Sequence, residues 1–398
     1  MSVPLVKDFL WLALEHGVKT LAGLVSTLLI INYLVPGDYG AIALASTTFS
    51  MVSSFAALGL DGILFRNYIR NYDARLLKDS FILRLLSAGA LTVLLAMIAV
   101  AFDELWLWCL LLLTLALHAN SLNGLKEIAL SQKRYKVVVV ANSLASLFQL
   151  SSVVFLISQD ASVIALVVPF LINRIVYITT LALAQPAQLK GTLLTSARLN
   201  FGLLREGFPL MVGAVAGLIY ASQDQWMIAY FLGNDDVGIY ATGIKLILIL
   251  LVSPTILTNV LYHKIIDMQG STEYEEYLQR LYCKLFYAGL LLCATIITFA
   301  SELIDLAVPS AYSGAGEVLE IYTLVLLVAF FQSLNNKLLI LHGLQHIIMY
   351  RVIASLLLNG FLNLIFIPTF GLVGAAVSTV LSELFVLLSY GFTKSTRF

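Results

Sequence analysis

The sequence predicts an all-α integral membrane protein with twelve transmembrane helices, arranged as two six-helix lobes related by a parallel repeat. Hydrophobic residues make up 60% of the 398 residues and charged residues 12%, far outside the range of soluble domains. The mean hydropathy is +0.94. The apolar stretches are close to the roughly twenty residues that cross about 30 Å of hydrocarbon. In addition, a hairpin near the N-terminus recurs in the second half of the chain.

The predicted spans form two groups of six. They are residues 9–34, 39–64, 80–101, 105–130, 137–158, 161–184, 207–232, 237–262, 281–300, 317–341, 348–367 and 371–392. A polar connection, residues 185–206, divides an N-terminal lobe of residues 1–184 from a C-terminal lobe of residues 207–398. No small-residue cleavage site follows a short apolar core, so we expect the first span to be retained.

The repeated unit is a hairpin of two apolar segments joined by a tight turn. Residues 32–66 contain the turn Pro36-Gly37-Asp38, and residues 230–264 align with them without a gap. The aligned pairs are Leu34 with Leu232, Asp38 with Asp236, Gly40 with Gly238, Ala43 with Ala241, and Arg66 with Lys264. Because each hairpin lies at a matching position in its half, the alignment favours a duplicated transporter architecture.

Basic residues are confined to one side of the predicted membrane. The turns after the odd-numbered spans contain no Lys or Arg; they are residues 36–38, 102–104, 159–160, 233–236, 301–316 and 368–370. Since basic residues are retained on the cytoplasmic side, both termini are predicted to be cytoplasmic. Arg66, Arg70 and Arg84 are then expected at the inner surface, in contact with anionic lipids. Arg66 is also a candidate guard of the inner mouth of a cavity.

Few features favour an enzyme or a cofactor-binding protein. The predicted external turns are short, and the sequence has no P-loop, zinc-helix motif or nucleophile elbow. The five histidines are scattered, and Cys109, Cys283 and Cys293 lack metal-ligand spacing. Equal numbers of acidic and basic residues give no sign of a nucleic-acid partner. We therefore expect no catalytic residue, no metal site and no cofactor.

Charged residues that lie well away from the ends of the predicted spans are the candidate functional residues. The basic ones, candidates for substrate binding together with Arg66, are Lys19, Arg174 and Lys245. The acidic ones, candidates for ion coupling or charge pairing, are Glu15, Asp224 and Glu383. A charge near the bilayer centre costs at least a few kcal/mol, so such residues normally face a bundle interior or an aqueous cavity.

Two interpretations of these charges stay open. Glu15 and Lys19 are one helical turn apart, and Asp224 and Lys245 have similar predicted depths on neighbouring antiparallel helices, so each pair could neutralise itself and lock helices together. In the other interpretation, Arg174, with Lys19 and Lys245 when unpaired, holds an anionic headgroup in a cationic cavity. An acidic residue such as Glu15 or Asp224 then takes up a proton or a sodium ion during coupling.

Three blocks of sequence resemble the polysaccharide-transporter family of the multidrug/oligosaccharidyl-lipid/polysaccharide (MOP) exporter superfamily, which includes the O-antigen flippases of the Wzx type. They are NYLVPGDYG at 32–40 with Gly59-Leu60 and Arg66, DQWMIAYFLGNDDVGIY at 224–240, and NLIFIPTFGLVGAAVSTVLSE at 363–383. Their order and spacing match the family across nearly the whole chain. Gln225 departs from it, since the family often has a basic residue after the Asp that Asp224 matches. That departure leaves ion coupling open.

The resemblance implies a V-shaped, MATE-like fold of two lobes around a central cavity that opens to each face in turn. It implies an inner-membrane flippase that moves a polyprenyl-diphosphate-linked oligosaccharide, such as an O-antigen repeat unit of lipopolysaccharide, from the cytoplasmic to the periplasmic leaflet. The implied partners are this substrate, membrane lipids, an H⁺ or Na⁺ coupling ion and polysaccharide polymerase machinery.

Two other functions compete with the flippase. A cation-coupled multidrug or small-solute exporter of the same superfamily would favour a predominantly acidic cavity, whereas three basic residues lie in the spans here. A membrane glycan polymerase or ligase would be expected to carry a large external loop with catalytic residues. The longest external segment, residues 301–316, contains no Lys, Arg or His. The flippase is therefore the preferred interpretation, with the identity of the oligosaccharide left open.

Overall fold

The structure is a computed structural model that describes residues 3–70, 72–194 and 200–392. Within these ranges the chain is helical and contains no β-strand. The helices are α1 Val3–Tyr33, α2 Pro36–Ala57, α3 Leu60–Arg70, α4 Ala74–Phe102, α5 Leu105–Asn120, α6 Gly124–Ser131, α7 Tyr135–Ser158, α8 Val168–Leu183, α9 Pro186–Leu194, α10 Gly202–Phe231, α11 Asn234–Leu250, α12 Val252–Met268, α13 Tyr274–Thr298, α14 Ala300–Ala307, α15 Ala315–Leu341 and α16 Gln345–Phe392.

The chain forms two compact units, Met1–Leu218 and Ile219–Phe398, and the division falls inside α10. In unit 1, α1 packs on α7, α7 on α8, and both α2 and α4 on α5. In unit 2, α11 and α13 pack on α15, which packs on α16. The predicted lobe limits, residues 1–184 and 207–398 with a connection at 185–206, stay a prediction about the membrane lobes.

The duplication expected from the hairpins is present in the helix packing. α2 begins at Pro36 and α11 at Asn234, which the alignment of the two hairpins places opposite each other. α2 and α4 pack against α5 in unit 1, as α11 and α13 pack against α15 in unit 2. The second half of the chain therefore repeats the helix arrangement of the first.

Nine helical stretches in the described parts of the chain are long and apolar enough to cross a membrane. They become ten when α5 and α6, which meet at a 47° bend, count as one span. In α1 the residues from Gly17 onward form a shorter apolar helix. The chain is thus a multi-pass membrane protein, and the count of twelve spans stays a prediction.

α16 is a helical hairpin. Its 48 residues would extend about 72 Å at 1.5 Å per residue, more than twice the hydrocarbon thickness. At Gly371 the backbone leaves the helical conformation, with φ 61° and ψ −138°. A β-carbon on Gly374 would lie only 2.1 Å from the carbonyl oxygen of Phe366. The side chains of Asn359 and Thr379 meet across the fold at 3.3 Å, so the two arms correspond to the last two predicted spans.

Two predicted spans are interrupted in the structure. The span at 39–64 is divided by Leu58 and Gly59, whose φ angles are 56° and 67°. The span at 105–130 bends by 47° between α5 and α6. α11 and α12 together form one apolar stretch, Asn234–Met268, which contains the predicted span at 237–262. Hydropathy measures apolar length only, so the sequence did not indicate the turn at Leu58 or the bend after α5.

The break after α2 is held by a close backbone contact with the first turns of α10. A β-carbon on Gly207 would lie 2.2 Å from the carbonyl oxygen of Leu58, and one on Gly59 would lie 2.2 Å from the carbonyl oxygen of Gly207. Only hydrogen fits at either position. Leu60 and Leu203 are buried together beside the contact, which fixes this end of α10 to unit 1.

We predict that Gly207→Ala destabilises the protein by at least about 1–3 kcal/mol, because the added methyl group forces the two backbones apart. Gly217→Ala is the matched control, since the same helix leaves open space around Gly217. It is expected to be neutral or to stabilise by up to about 1 kcal/mol. Thermal unfolding of the purified protein in detergent checks both variants. Equal unfolding temperatures would contradict the contact.

Candidate functional site

A polar cavity of about 160 Å³ lies inside unit 1. Its polar and charged lining comes from α2, α3, α4, α8 and the end of α5 with the turn that follows: Ser53, Ser54, Asp61, Arg84, Asn120, Ser121, Asn123 and Arg174. α4 turns Arg84 inward on the same stripe as Leu77, Ser80 and Ala88, which are buried at helical spacing. The cavity thus combines residues that are far apart in the sequence.

Arg84 and Asp61 form an ion pair in the wall of this cavity. Nη2 of Arg84 donates to Oδ1 of Asp61 at 2.8 Å, and the Arg84 side chain is only 3% exposed. Nδ2 of Asn123 lies 3.4 Å from the same carboxylate oxygen. Nε of Arg84 is buried and has no hydrogen-bond partner among the described residues. The predicted lipid-facing position of Arg84 is therefore wrong, because α4 directs this side chain into the unit.

Arg174 lines the same cavity from α8. Its guanidinium lies 5.7 Å from the ring centre of Tyr177. The described residues place no carboxylate oxygen within 4 Å of it. The charged lining of the cavity is therefore two guanidinium groups and one carboxylate, with a net positive charge.

In unit 2, Asp224 is buried among neutral hydrogen-bond donors. The hydroxyls of Tyr240 and Thr379 donate to Oδ2 at 2.8 Å, and Nδ2 of Asn363 donates to Oδ1 at 2.6 Å. With its nitrogen turned toward Asp224, Asn359 donates to Oδ1 at 3.0 Å. These partners come from α11 and from both arms of α16. The carboxylate therefore joins three parts of unit 2.

The structure does not form the predicted pair of Asp224 with Lys245. Lys245 is half-buried on α11, and no carboxylate oxygen lies within 4 Å of it in the described part of the chain. α11 presents Tyr240 to Asp224 instead. Five residues along a helix correspond to a rotation of about 140°, so Lys245 points away from that contact.

Glu383 borders a second cavity in unit 2, of about 90 Å³. Its carboxylate accepts hydrogen bonds from the hydroxyl of Tyr220 and, at 2.6 Å, from Nε2 of Gln332. Arg351 lines the same cavity and lies 3.7 Å from the ring centre of Tyr390. The side chain of Arg351 is buried. This second cavity is therefore lined by one acidic residue, Glu383, and one basic residue, Arg351.

Arg66 and Lys19 do not line either cavity. Arg66 pairs with Glu206 at 2.8 Å, and both side chains are more than half exposed. Such exposed pairs contribute about 0–1 kcal/mol. Lys19 lies on an exposed position of α1 in unit 1 and does not line the cavity that holds Arg174. The side chain of Glu15 lies outside the described residues, so its pairing with Lys19 stays a prediction.

The sequence did not single out Asp61, Asn120 or Asn123. Asp61 lies near the end of a predicted span, where polar residues are ordinarily exposed to solvent, and Asn120 and Asn123 are uncharged residues in the second half of the span 105–130. Only the break between α2 and α3 and the bend between α5 and α6 bring them together. A charged residue close to a glycine inside a predicted span was the available signal for Asp61.

A family profile described as polysaccharide biosynthesis protein matches residues 32–317, about 70% of the chain. The chain belongs to this family. The match spans most of unit 1, with its polar cavity, and extends through the Asp224 region into α15. A comparison with curated protein sequences finds no matching relative.

Solved structures share the fold. The lipid II flippase MurJ, in an inward closed conformation, superposes with a TM-score of 0.74 at 16% identity, over 98% of this chain and 88% of MurJ. A MOP superfamily transporter from Pyrococcus furiosus gives a TM-score of 0.60 at 17% identity, over 96% and 93%. An outward-facing multidrug resistance MATE family transporter gives a TM-score of 0.59 at 17% identity, over 96% of this chain and 93% of the transporter. The predicted MOP transporter fold is confirmed.

We predict that Asp224→Ala destabilises the protein by at least about 3 kcal/mol, because each buried donor left without an acceptor costs about 1–3 kcal/mol. Asp224→Asn is expected to cost much less, since the carboxamide keeps the shape and the rotatable hydroxyls of Tyr240 and Thr379 can accept as well as donate. Thermal unfolding of both variants in the same detergent is the measurement. Equal losses would mean that these hydrogen bonds do not hold α10, α11 and α16 together.

Proposed function

We propose that this chain is a flippase that moves a polyprenyl-diphosphate-linked oligosaccharide from the cytoplasmic to the periplasmic leaflet of the inner membrane. The observation that carries the proposal is the family match over residues 32–317 in a chain with the MOP transporter fold. An O-antigen repeat unit is the proposed cargo. The protein is proposed as a transporter and not as an enzyme.

Two half-buried basic residues support an anionic substrate. Arg174 and Lys245 lie within helices that are long and apolar enough to cross a membrane, with no carboxylate oxygen within 4 Å in the described ranges. A charge removed from water without an ion-pair partner is unfavourable, and a diphosphate would compensate it. Arginine can bind phosphate oxygens with two parallel hydrogen bonds, whereas lysine acts as a point charge. Lys19 and Arg66 are proposed as further contacts along the substrate path.

Asp224 is the proposed coupling residue. It has no ion-pair partner in the described chain, and its neighbours are hydroxyl and carboxamide groups. The buried Oδ1 of Asn363 also has no hydrogen-bond donor among the described residues. Oxygen-rich surroundings of this kind suit a hard cation, and a proton on the carboxylate would remove the buried charge. For Glu383 we propose charge balance with Arg351, and Glu15 remains a second coupling candidate.

The membrane arrangement follows from the charge asymmetry of the loops. Both termini are proposed to be cytoplasmic, with lobes of residues 1–184 and 207–398 and the connection 185–206 on the cytoplasmic side. The substrate would then be taken up at the inner leaflet, where membrane lipids and basic residues meet. Delivery to polysaccharide polymerase machinery at the outer leaflet is the proposed next step.

Transport in proteoliposomes tests the substrate class. We predict that Arg174→Ala and Lys245→Ala each reduce flipping of a polyprenyl-diphosphate oligosaccharide by about tenfold or more, since a lost charge-assisted hydrogen bond is worth about 1.5–3 kcal/mol. Arg280→Ala is the control, because Arg280 pairs with Glu276 on an exposed helix surface. If both variants flip the substrate at the wild-type rate, Arg174 and Lys245 have only a structural role. Absence of flipping by the wild-type protein would favour a multidrug or small-solute exporter.

The coupling proposal has its own test. An imposed H⁺ or Na⁺ gradient is expected to change the flipping rate of the wild-type protein and to leave the rate of Asp224→Asn unchanged, because the carboxamide cannot exchange a proton or neutralise a cation. Measuring each gradient separately identifies the ion. If Asp224→Asn responds like the wild-type protein, Asp224 is not the coupling residue.

A further inference from the structure

We propose that the cavity of unit 1 is a phosphate-binding site in which Arg84 and Arg174 hold one phosphate group and Asp61 competes with that group for Arg84. The proposal rests on the proposed function only for the source of the phosphate, which is either the diphosphate of the substrate or the headgroup of an anionic lipid. Binding itself is independent of transport.

Arg84 supplies the first part of the argument. Its side chain is almost fully buried and only Nη2 has a carboxylate partner, Oδ1 of Asp61 at 2.8 Å. The buried Nε finds no hydrogen-bond acceptor among the described residues. A guanidinium has five N–H donors, and buried donors without acceptors are unfavourable. A ligand that brings acceptor oxygens into the cavity would satisfy this group.

The charge of the lining supplies the second part. Arg84 and Arg174 contribute two positive charges to the cavity wall, and Asp61 is the acidic residue that lines the cavity with them. Glu127, the next carboxylate in the neighbourhood, lies 3.9 Å from Nζ of Lys126. The excess positive charge repels metal cations and favours an anion. A neutral sugar would leave it uncompensated.

The remaining lining suits a tetrahedral anion. Ser53 and Ser54 from α2 provide hydroxyl donors, and Nδ2 of Asn120 provides N–H donors. About 160 Å³ is room for a few water molecules or one phosphate group, since a water occupies about 30 Å³ of liquid. The side chain of Asp61 remains 43% exposed, so the cavity is accessible on that side.

Asp61 has a particular role in this arrangement. In the structure its Oδ1 accepts a hydrogen bond from Nη2 of Arg84 at 2.8 Å, in the wall of the cavity that Arg174 also lines, and Nδ2 of Asn123 lies 3.4 Å from the same oxygen. It is therefore a positioning residue that holds Arg84 in place and also opposes the ligand by its own negative charge. Removing that charge should strengthen phosphate binding, whereas removing Arg84 should weaken it.

The test is a titration of the purified full-length protein with inorganic pyrophosphate in detergent, followed by thermal unfolding and by calorimetry. Arg84→Gln is expected to raise the Kd by about tenfold or more, because it removes a charge-assisted contact. Asp61→Asn is expected to lower the Kd by about threefold or more, because it removes a like charge. Arg280→Gln, outside the cavity on α13, should bind as the wild-type protein does.

A second arm replaces pyrophosphate with vesicles of phosphatidylglycerol or of phosphatidylcholine. In one outcome phosphatidylglycerol stabilises the protein, most strongly in Asp61→Asn and least in Arg84→Gln, and pyrophosphate does not. The site then binds a phosphate group supplied by a lipid. Pyrophosphate binding that is tightest in Asp61→Asn and weakest in Arg84→Gln supports the substrate diphosphate as the source.

Two results would overturn the proposal. One is the absence of binding in both arms. The other is a Kd that changes in the same direction for Asp61→Asn and Arg84→Gln, as expected of a purely structural ion pair. If Arg84→Gln fails to fold, Asp61→Asn still decides the question, because the proposal expects this variant to bind more tightly than the wild-type protein. Neither arm measures flipping, so a failed transport assay and a failed binding assay remain separate results.

Discussion

The cost of placing a charge in apolar surroundings is the constraint on which the rest of this structure depends. Each unit meets it with residues from distant parts of the chain. In unit 1, Arg84 of α4 is paired with Asp61 of α3. In unit 2, the carboxylate of Asp224 is surrounded by hydroxyl and amide donors from α11 and α16. Polar contacts thus specify which helices pack together, whereas the apolar side chains favour placing the helices in the membrane.

Backbone breaks decide where those charges lie. The turn at Leu58 and Gly59 ends α2 and starts α3, so that Asp61 enters the cavity wall two residues later. The fold at Gly371 returns the chain along itself and brings Thr379 to the same carboxylate as Asn363. In both places a glycine permits a backbone conformation or a close approach that other residues resist. The breaks are therefore part of the construction of each polar site.

The fold alone does not specify the cargo, because a lipid II flippase and a multidrug resistance transporter share it. The distribution of charge inside the units separates the possibilities. A cavity lined by two arginines and one aspartate favours an anionic group over a cation.

The sequence by itself determined the membrane class, the helical fold, the duplicated hairpins and the presence of charges such as Arg174 within spans. These properties depend on local hydropathy and on segment length, which can be counted along the chain. Only the tertiary structure decided that Asp224 meets Tyr240 and not Lys245, and that Arg84 turns inward. Contacts between helices depend on rotation about each axis, at about 100° per residue, and on the turns that interrupt them. Hydropathy contains neither quantity.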